Sequence, residues 1–134
     1  MLQSFTDPDS EEHLDALSEA IGKIDPSTCG QDEFRASFGV FERFPEDDAY
    51  GLFWSLLHAL EKCRGYEPEL LASVRRKPGE FNTRMVLRLH NVGAAPIAGR
   101  TLDEVVGEIL DHPDAPADVV DYAREYLAGR EAGV

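Results

Sequence analysis

The chain has 134 residues, of which 26 are acidic and 13 are lysine or arginine, giving a formal net charge of −13. That length holds one domain with a real core and is too short for two ordinary ones. The acid excess repels nucleic acid and anionic membranes, no run of about 18 apolar residues could span a bilayer, and the acidic N-terminus MLQSFTDPDSEEH lacks a basic-then-apolar leader, so a cytoplasmic protein is expected.

The charge is uneven. Residues 1–60 hold 13 acids and 3 bases, residues 61–93 hold 4 and 7, and residues 94–134 hold 9 and 3, so acid flanks a mildly basic middle. The two cysteines, Cys29 and Cys63, lack CxxC spacing and read as small, reduced core hydrophobes rather than a disulfide or metal framework.

In chain order, residues 1–8 are expected to be frayed, 9–129 to form one helical domain, and 130–134 to fray again. Asp9 with Glu12 three residues on can cap a first helix whose Leu14, Leu17, Ile21 and Ile24 recur at helical spacing, ended by Asp25-Pro26-Ser27. A second helix from about Gln31 places Phe34, Phe38 and Phe41 on one side, before Phe44-Pro45; all four phenylalanines are assigned to the core. A third, from about Asp47 to Arg64, carries Tyr50, Phe53, Trp54 and Leu57 on one face and Leu52, Leu56, Leu60 and Cys63 on a second, which predicts a buried central helix.

Pro68 suits the first turn of a fourth helix with Leu70, Leu71 and Val74 inward, and Pro78 opens a fifth in the same way. The fifth has the stripe Phe81, Met85, Leu89, Val92, with Gly93 placed to end it. Thr101 followed by Glu104 is a capping box for a sixth helix through Asp111, with Leu102, Val105, Val106 and Ile109 as its apolar face. A seventh starts near Asp114, with Pro116 in its first turn and Val119, Tyr122, Ala123 and Tyr126 inward. No strand-like alternation occurs, so the fold class is all-α: about seven short antiparallel helices in a compact bundle or a short HEAT-like array of helix pairs.

Catalytic chemistry finds little foothold. The four histidines, His13, His58, His90 and His112, fall on different elements without HExxH or clustered Cys/His spacing, so no metal site or cofactor is expected. His58, beside Trp54 and Leu57, reads as partly buried and hydrogen-bonded rather than as a general base. There is no GxSxG, no phosphate-binding glycine loop and no neighbour to activate a cysteine. A non-enzymatic protein is expected, with no catalytic residue.

The acidic stripes point to binding. Glu104, Glu108 and Asp111 share one face of the sixth helix, while Asp114, Asp118, Asp121 and Glu125 recur along the seventh. Like charges four apart disfavour a helix by roughly 0.2–0.5 kcal/mol per pair, so two successive helices that keep them invite a functional reason. Glu46, Asp47 and Asp48 form a third acidic run at a helix start, where the helix dipole alone accommodates them. The basic set Arg75, Arg76, Lys77, Arg84 and Arg88 is assigned to internal ion pairing, with Arg84 and Arg88 bridging to a neighbouring helix, rather than to RNA.

One block has a distinctive order of features: Tyr50-Gly51-Leu52-Phe53-Trp54-Ser55-Leu56-Leu57-His58, then Gly65-Tyr66-Glu67, then Ser73-Val74-Arg75-Arg76-Lys77-Pro78, then Glu80-Phe81 and Arg88-Leu89-His90-Asn91. Over roughly residues 40–95 it resembles the small bacterial immunity proteins that accompany polymorphic or contact-dependent growth inhibition toxins. The resemblance implies a helical protein that binds its cognate toxin in the producing cell and blocks it stoichiometrically. The matching residues are mostly of core and turn type, so no toxin contact transfers from them.

Taken together, these readings lead to an immunity protein for a basic toxin domain, such as a nuclease, with a monomeric state and neither nucleic acid nor membrane as partner. Candidate partner-binding residues are Glu46, Asp47, Asp48, Glu104, Glu108, Asp111, Asp118 and Asp121. The alternative is a helical adaptor that holds a partner protein or peptide.

Overall fold

A computed structural model describes residues 2–133, apart from the side chains of residue 3 and residues 129–133. Its long elements are all helices: α1 (Glu11–Gly22), α2 (Gln31–Arg43), α3 (Leu52–Glu61), α4 (Glu67–Arg76), α5 (Glu80–Asn91), α6 (Leu102–Asp111) and α7 (Ala117–Gly133). The all-α, seven-helix reading holds, and among the described residues no strand forms. Ile97 and Arg100 merely exchange two backbone hydrogen bonds, of 2.9 and 3.0 Å, across the left-handed pair Ala98-Gly99.

Local chemistry sets the helix starts. Thr101 caps α6 as expected, its Oγ1 accepting the Glu104 N–H at 3.1 Å. The cap of α1 is Ser10 rather than Asp9, with its Oγ accepting the His13 N–H at 3.3 Å. α3 starts at Leu52, five residues later than expected. Asp47 Oδ1 takes the Ala49 N–H at 2.7 Å and Asp48 Oδ1 the Tyr50 N–H at 3.1 Å, while Ala49, Tyr50 and Gly51 stand at φ 49°, 55° and 91°. Side chains that bond the backbone locally thus displace the first helical turn, and Tyr50 ends up 78% exposed instead of on the buried face.

α5 starts at Glu80, because Gly79 caps it and Pro78 lies before it. A Cβ on Gly79 would stand 2.9 Å from Pro45 Cα and 3.0 Å from Phe41 O, so the chain crosses the end of α2 there at backbone contact. Pro116 likewise lies just before α7. The N-terminal residues expected to fray are docked over their described part: Leu2–Ser4 form a 3-10 turn, Leu2 and Phe5 are buried, and Arg43 Nη2 donates to Leu2 O at 2.9 Å and Phe5 O at 3.1 Å. At the other end the α7 backbone is helical to Gly133, and residue 134 lies outside the described residues.

The central helix is α5, not α3. It packs against α2, α3, α4, α6 and α7, a bundle arrangement rather than a stacked array in which each helix pair meets only its neighbours. Its burial is correspondingly wide: Phe81, Asn82, Thr83, Met85, Val86, Leu87 and His90 are buried, whereas the expected stripe member Val92 is 75% exposed. Asn82 and Thr83 make α5 look half-polar in sequence. Asn82 is satisfied in place, accepting the Gly79 N–H at 2.7 Å and donating to Ser73 Oγ and Lys77 O at 3.0 Å each.

Ser73 passes that network to α2 by donating to Glu42 Oε2 at 2.9 Å, and Arg76 clasps Glu42 with two bonds of 3.0 Å. Beside it, Phe41, Phe53 and Phe81 form a triangle with ring centroids 5.5, 5.6 and 5.7 Å apart. Aromatic pairs at such spacing contribute about 0.5–1.5 kcal/mol beyond the area they bury. Phe44, expected in the core, is half-buried and packs edge-on against Phe5 at 5.4 Å.

The cysteines correct the sequence expectation. Cys29 and Cys63 are bonded, with Cα atoms 6.3 Å apart, tying the α1–α2 loop to the end of α3. Their sequence separation of 34 says nothing about proximity; the packing of α1 on α3 brings them together.

Candidate partner-binding surface

Most of the basic residues are engaged within the fold. Arg35 bonds Glu69 at 3.3 Å, Arg75 stands 3.8 Å from Glu108, Arg76 holds Glu42, and Arg100 also pairs with Glu108. Arg88 on α5 grips Glu61 on α3 in a two-pronged bond of 2.7 and 2.9 Å, which raises its pKa above the ordinary arginine value. Arg88 thus bridges to a neighbouring helix as expected. Arg84 pairs instead with Glu80 on its own helix, at 3.0 Å, and reaches the next one through Tyr122.

The eight acidic candidates do not form one patch. Glu46 and Asp48 are exposed and Asp47 is half-buried, and the two aspartates accept backbone N–H groups in the turn before α3. Glu104 is exposed and accepts the Thr101 hydroxyl at 3.1 Å, whereas Glu108 is half-buried and neutralised by Arg75 and Arg100. Asp111, Asp118 and Asp121 are exposed, as are Asp114 and Glu125. The outer face from the end of α6 along α7 is therefore acid that the fold leaves to solvent, while Glu108 is mainly structural. His58 is exposed, stacked on Trp54 at 6.1 Å and 3.9 Å from Glu61, rather than partly buried.

A second feature was not singled out in the sequence: an open cleft of about 500 Å³ between α5, α7 and the α3–α4 junction. Arg84 forms its inner corner, with its guanidinium carbon 4.3 Å from the Tyr122 ring centre and 5.1 Å from that of Trp54. Arg84 also donates to the Tyr122 hydroxyl at 3.0 Å, fastening α7 to α5. Tyr122, expected to face inward, is 37% exposed.

Tyr66 and Tyr126 line the same cleft. The Tyr126 hydroxyl is buried without a hydrogen-bond partner among the described residues. Tyr66 is 7% exposed, and burial, reinforced by Glu67 and Glu61 against Arg88, pushes its phenol up to about 12. Helical spacing predicted Tyr126 inward but could not show an unmatched hydroxyl. The one available sequence signal was that Tyr66, Arg88 and Asn91 belong to the distinctive block at 50–91 and are not pure core types.

His90 is buried, meets the Tyr126 ring edge-on at 5.8 Å and bonds Asp103 at the start of α6. This contact fixes the loop between α5 and α6. Among the described residues no group of three His, Cys, Asp or Glu could hold a metal ion, and no helix is long and apolar enough to cross a membrane. Comparison with known protein families, curated proteins and solved structures finds no match to the chain.

Proposed function

We propose that this protein is an immunity protein: it binds a basic toxin domain, such as a nuclease, one to one in the cytoplasm and occludes it without chemistry of its own. The observation that supports this most is the imbalance of its charges. Among the described residues seven lysines and arginines are held in internal ion pairs, while the acids at the end of α6 and along α7 face solvent. Such a field draws a basic protein in and speeds encounter. The order of features over residues 40–95 supplies the toxin-specific part of the reading. An interface of about 800 Å² per partner fits one side of a domain this size.

Growth rescue tests it. A toxin domain encoded beside this gene is expressed in a test cell with and without the protein; survival with a co-purifying complex is expected, and unrelieved killing overturns the reading for that pair. Reversing Glu104, Asp111 and Asp118 to lysine is expected to slow association at low salt, and an unchanged on-rate removes that face from the encounter.

The Cys29–Cys63 bond bears on where this happens, because disulfides are rare in the cytosol. A cytoplasmic complex must form equally well with and without dithiothreitol. A complex seen only under oxidising conditions would move the protein to an oxidising compartment. The adaptor reading gains from the cleft, which is the kind of groove that holds a peptide, and it stands if the protein binds partners but relieves no toxicity.

A further inference from the structure

We infer that the cleft between α5 and α7 is the anchor point of the interface, and that it takes a segment of the partner in which an apolar side chain is flanked by lysine or arginine. This rests on the reading of a basic protein partner and adds where and how it docks. Among the described residues three large hydrophobic side chains are exposed, and two of them, Val92 and Tyr122, stand on this one cleft at 75% and 37% exposure. Exposed apolar residues gathered at a concave site, unlike scattered ones, mark a place that something covers.

The cleft walls say what kind of group covers it. Among the described residues the Tyr126 hydroxyl is buried without a hydrogen-bond partner, and Tyr66, more than nine-tenths buried, lines the same cleft. A segment lying in the groove covers both rings. A tyrosine hydroxyl at the edge of an apolar wall is the usual form of such an anchor, because the ring buries area while its tip bonds.

Charge then selects the flanks. Arg84 and Arg88 face the cleft with their charge matched by Glu80 and Glu61; the Arg84 guanidinium is covered by Trp54 and Tyr122, while that of Arg88 remains a surface to stack on. Asp118 shares an adjoining pocket with Arg84 and Tyr122, and Asp121 and Glu125 are exposed on the same helix, so acid borders the α7 side of the cleft. An anionic segment meets that border and Glu61 as like charge. A cationic one meets it as ion pairs while its apolar residue enters between Val92 and Tyr122.

The test uses the isotope-labelled full chain and three end-blocked hexapeptides at about 0.15 M salt, where charges more than about 8 Å apart are screened. They are Lys-Lys-Leu-Phe-Lys-Lys, the same peptide with Gly-Ser in place of Leu-Phe, and Glu-Glu-Leu-Phe-Glu-Glu. The first is expected to bind, with amide shifts centred on residues 88–92 and 119–126. The second is expected to bind about tenfold more weakly, and the third not measurably.

Tyr122→Ala should weaken the first peptide by about tenfold. Val92→Gln, at a site too exposed to affect folding, should weaken it in the same direction. Equal affinity for the first two peptides, shifts confined to residues 46–50, or a preference for the acidic peptide each overturn the proposal. Failure of growth rescue alongside the expected titration removes the toxin and leaves the cleft. Rescue and toxin affinity undiminished by Tyr122→Ala and Val92→Gln remove the cleft and leave the toxin.

Discussion

The two sides of α5 meet very different neighbours. Toward α2, α3 and α4 it is closed by the Phe41–Phe53–Phe81 triangle and by the chain of bonds from Glu42 through Ser73 to Asn82, in which the buried amide of Asn82 is fully engaged. Toward α7 the packing leaves an opening: among the described residues Val119 and Ala123 are the buried side chains of that helix, Arg84 clamps it through Tyr122, and a cleft beside an unmatched tyrosine hydroxyl stays open. A filled core specifies a fold, and a face left open is available to a partner; unmatched hydroxyls do not separate the two, since among the described residues the buried Ser37 on α2 carries one as well. One helix presents both.

The sharpest way to break this contrast is to cut the closed side. Phe81→Ala is expected to lower unfolding free energy by about 3–5 kcal/mol in a urea titration, because the ring is enclosed and its neighbours cannot collapse into the space. A loss below about 1 kcal/mol would place the rigid core elsewhere.

Next comes the disulfide, which ties the α1–α2 loop into the closed side. Cys63→Ser or dithiothreitol is expected to lower stability by about 2–4 kcal/mol, read as a fall in thermal midpoint. Identical midpoints with and without reductant would mean that the thiols are not bonded in solution.

A smaller effect is expected from pH. The hydrogen bond from Gln31, aided by Arg35 and opposed by burial, holds the Glu69 carboxyl below the usual glutamate range. Its folded pKa lies under its unfolded one, so its contribution is present above about pH 4.3 and is lost as pH falls through the folded value. Glu69→Gln should flatten the acid limb of stability there, and an unchanged limb would show that other carboxylates govern it.

Least of all should follow from the open side. Asp111→Lys and Asp118→Lys are expected to change stability by under about 0.5 kcal/mol while altering association with a basic partner. A large loss of stability would show that these acids hold the fold and would remove them from the binding face.

Legibility in the sequence divided along the same line. Caps and breaks are local, so Thr101 with Glu104, Gly93 and the proline positions located α6, the end of α5 and the start of α4 closely. The α3 start failed because Asp47 and Asp48 look like favourable first-turn acids and instead bond the backbone of a left-handed turn. The centrality of α5 was hidden by Asn82 and Thr83, which count as polar by type although both are buried. Among the acidic candidates, Glu108 reads the same as Asp111 in sequence, yet only Glu108 meets arginines from the end of α4 and the loop before α6.

By itself the sequence determined what depends on short spans: an all-helical chain, seven segments, their apolar faces, and the sign and distribution of charge. Periodicity and capping involve residues three or four apart, and charge merely adds. Only the tertiary structure decided which helix is central, that Cys29 meets Cys63, which arginine takes which carboxylate, and that Tyr66, Arg88, Val92 and Tyr122 enclose one cleft. Most of those relations join residues more than 20 positions apart, and the packing of one helix against another, which no local spacing encodes, sets them.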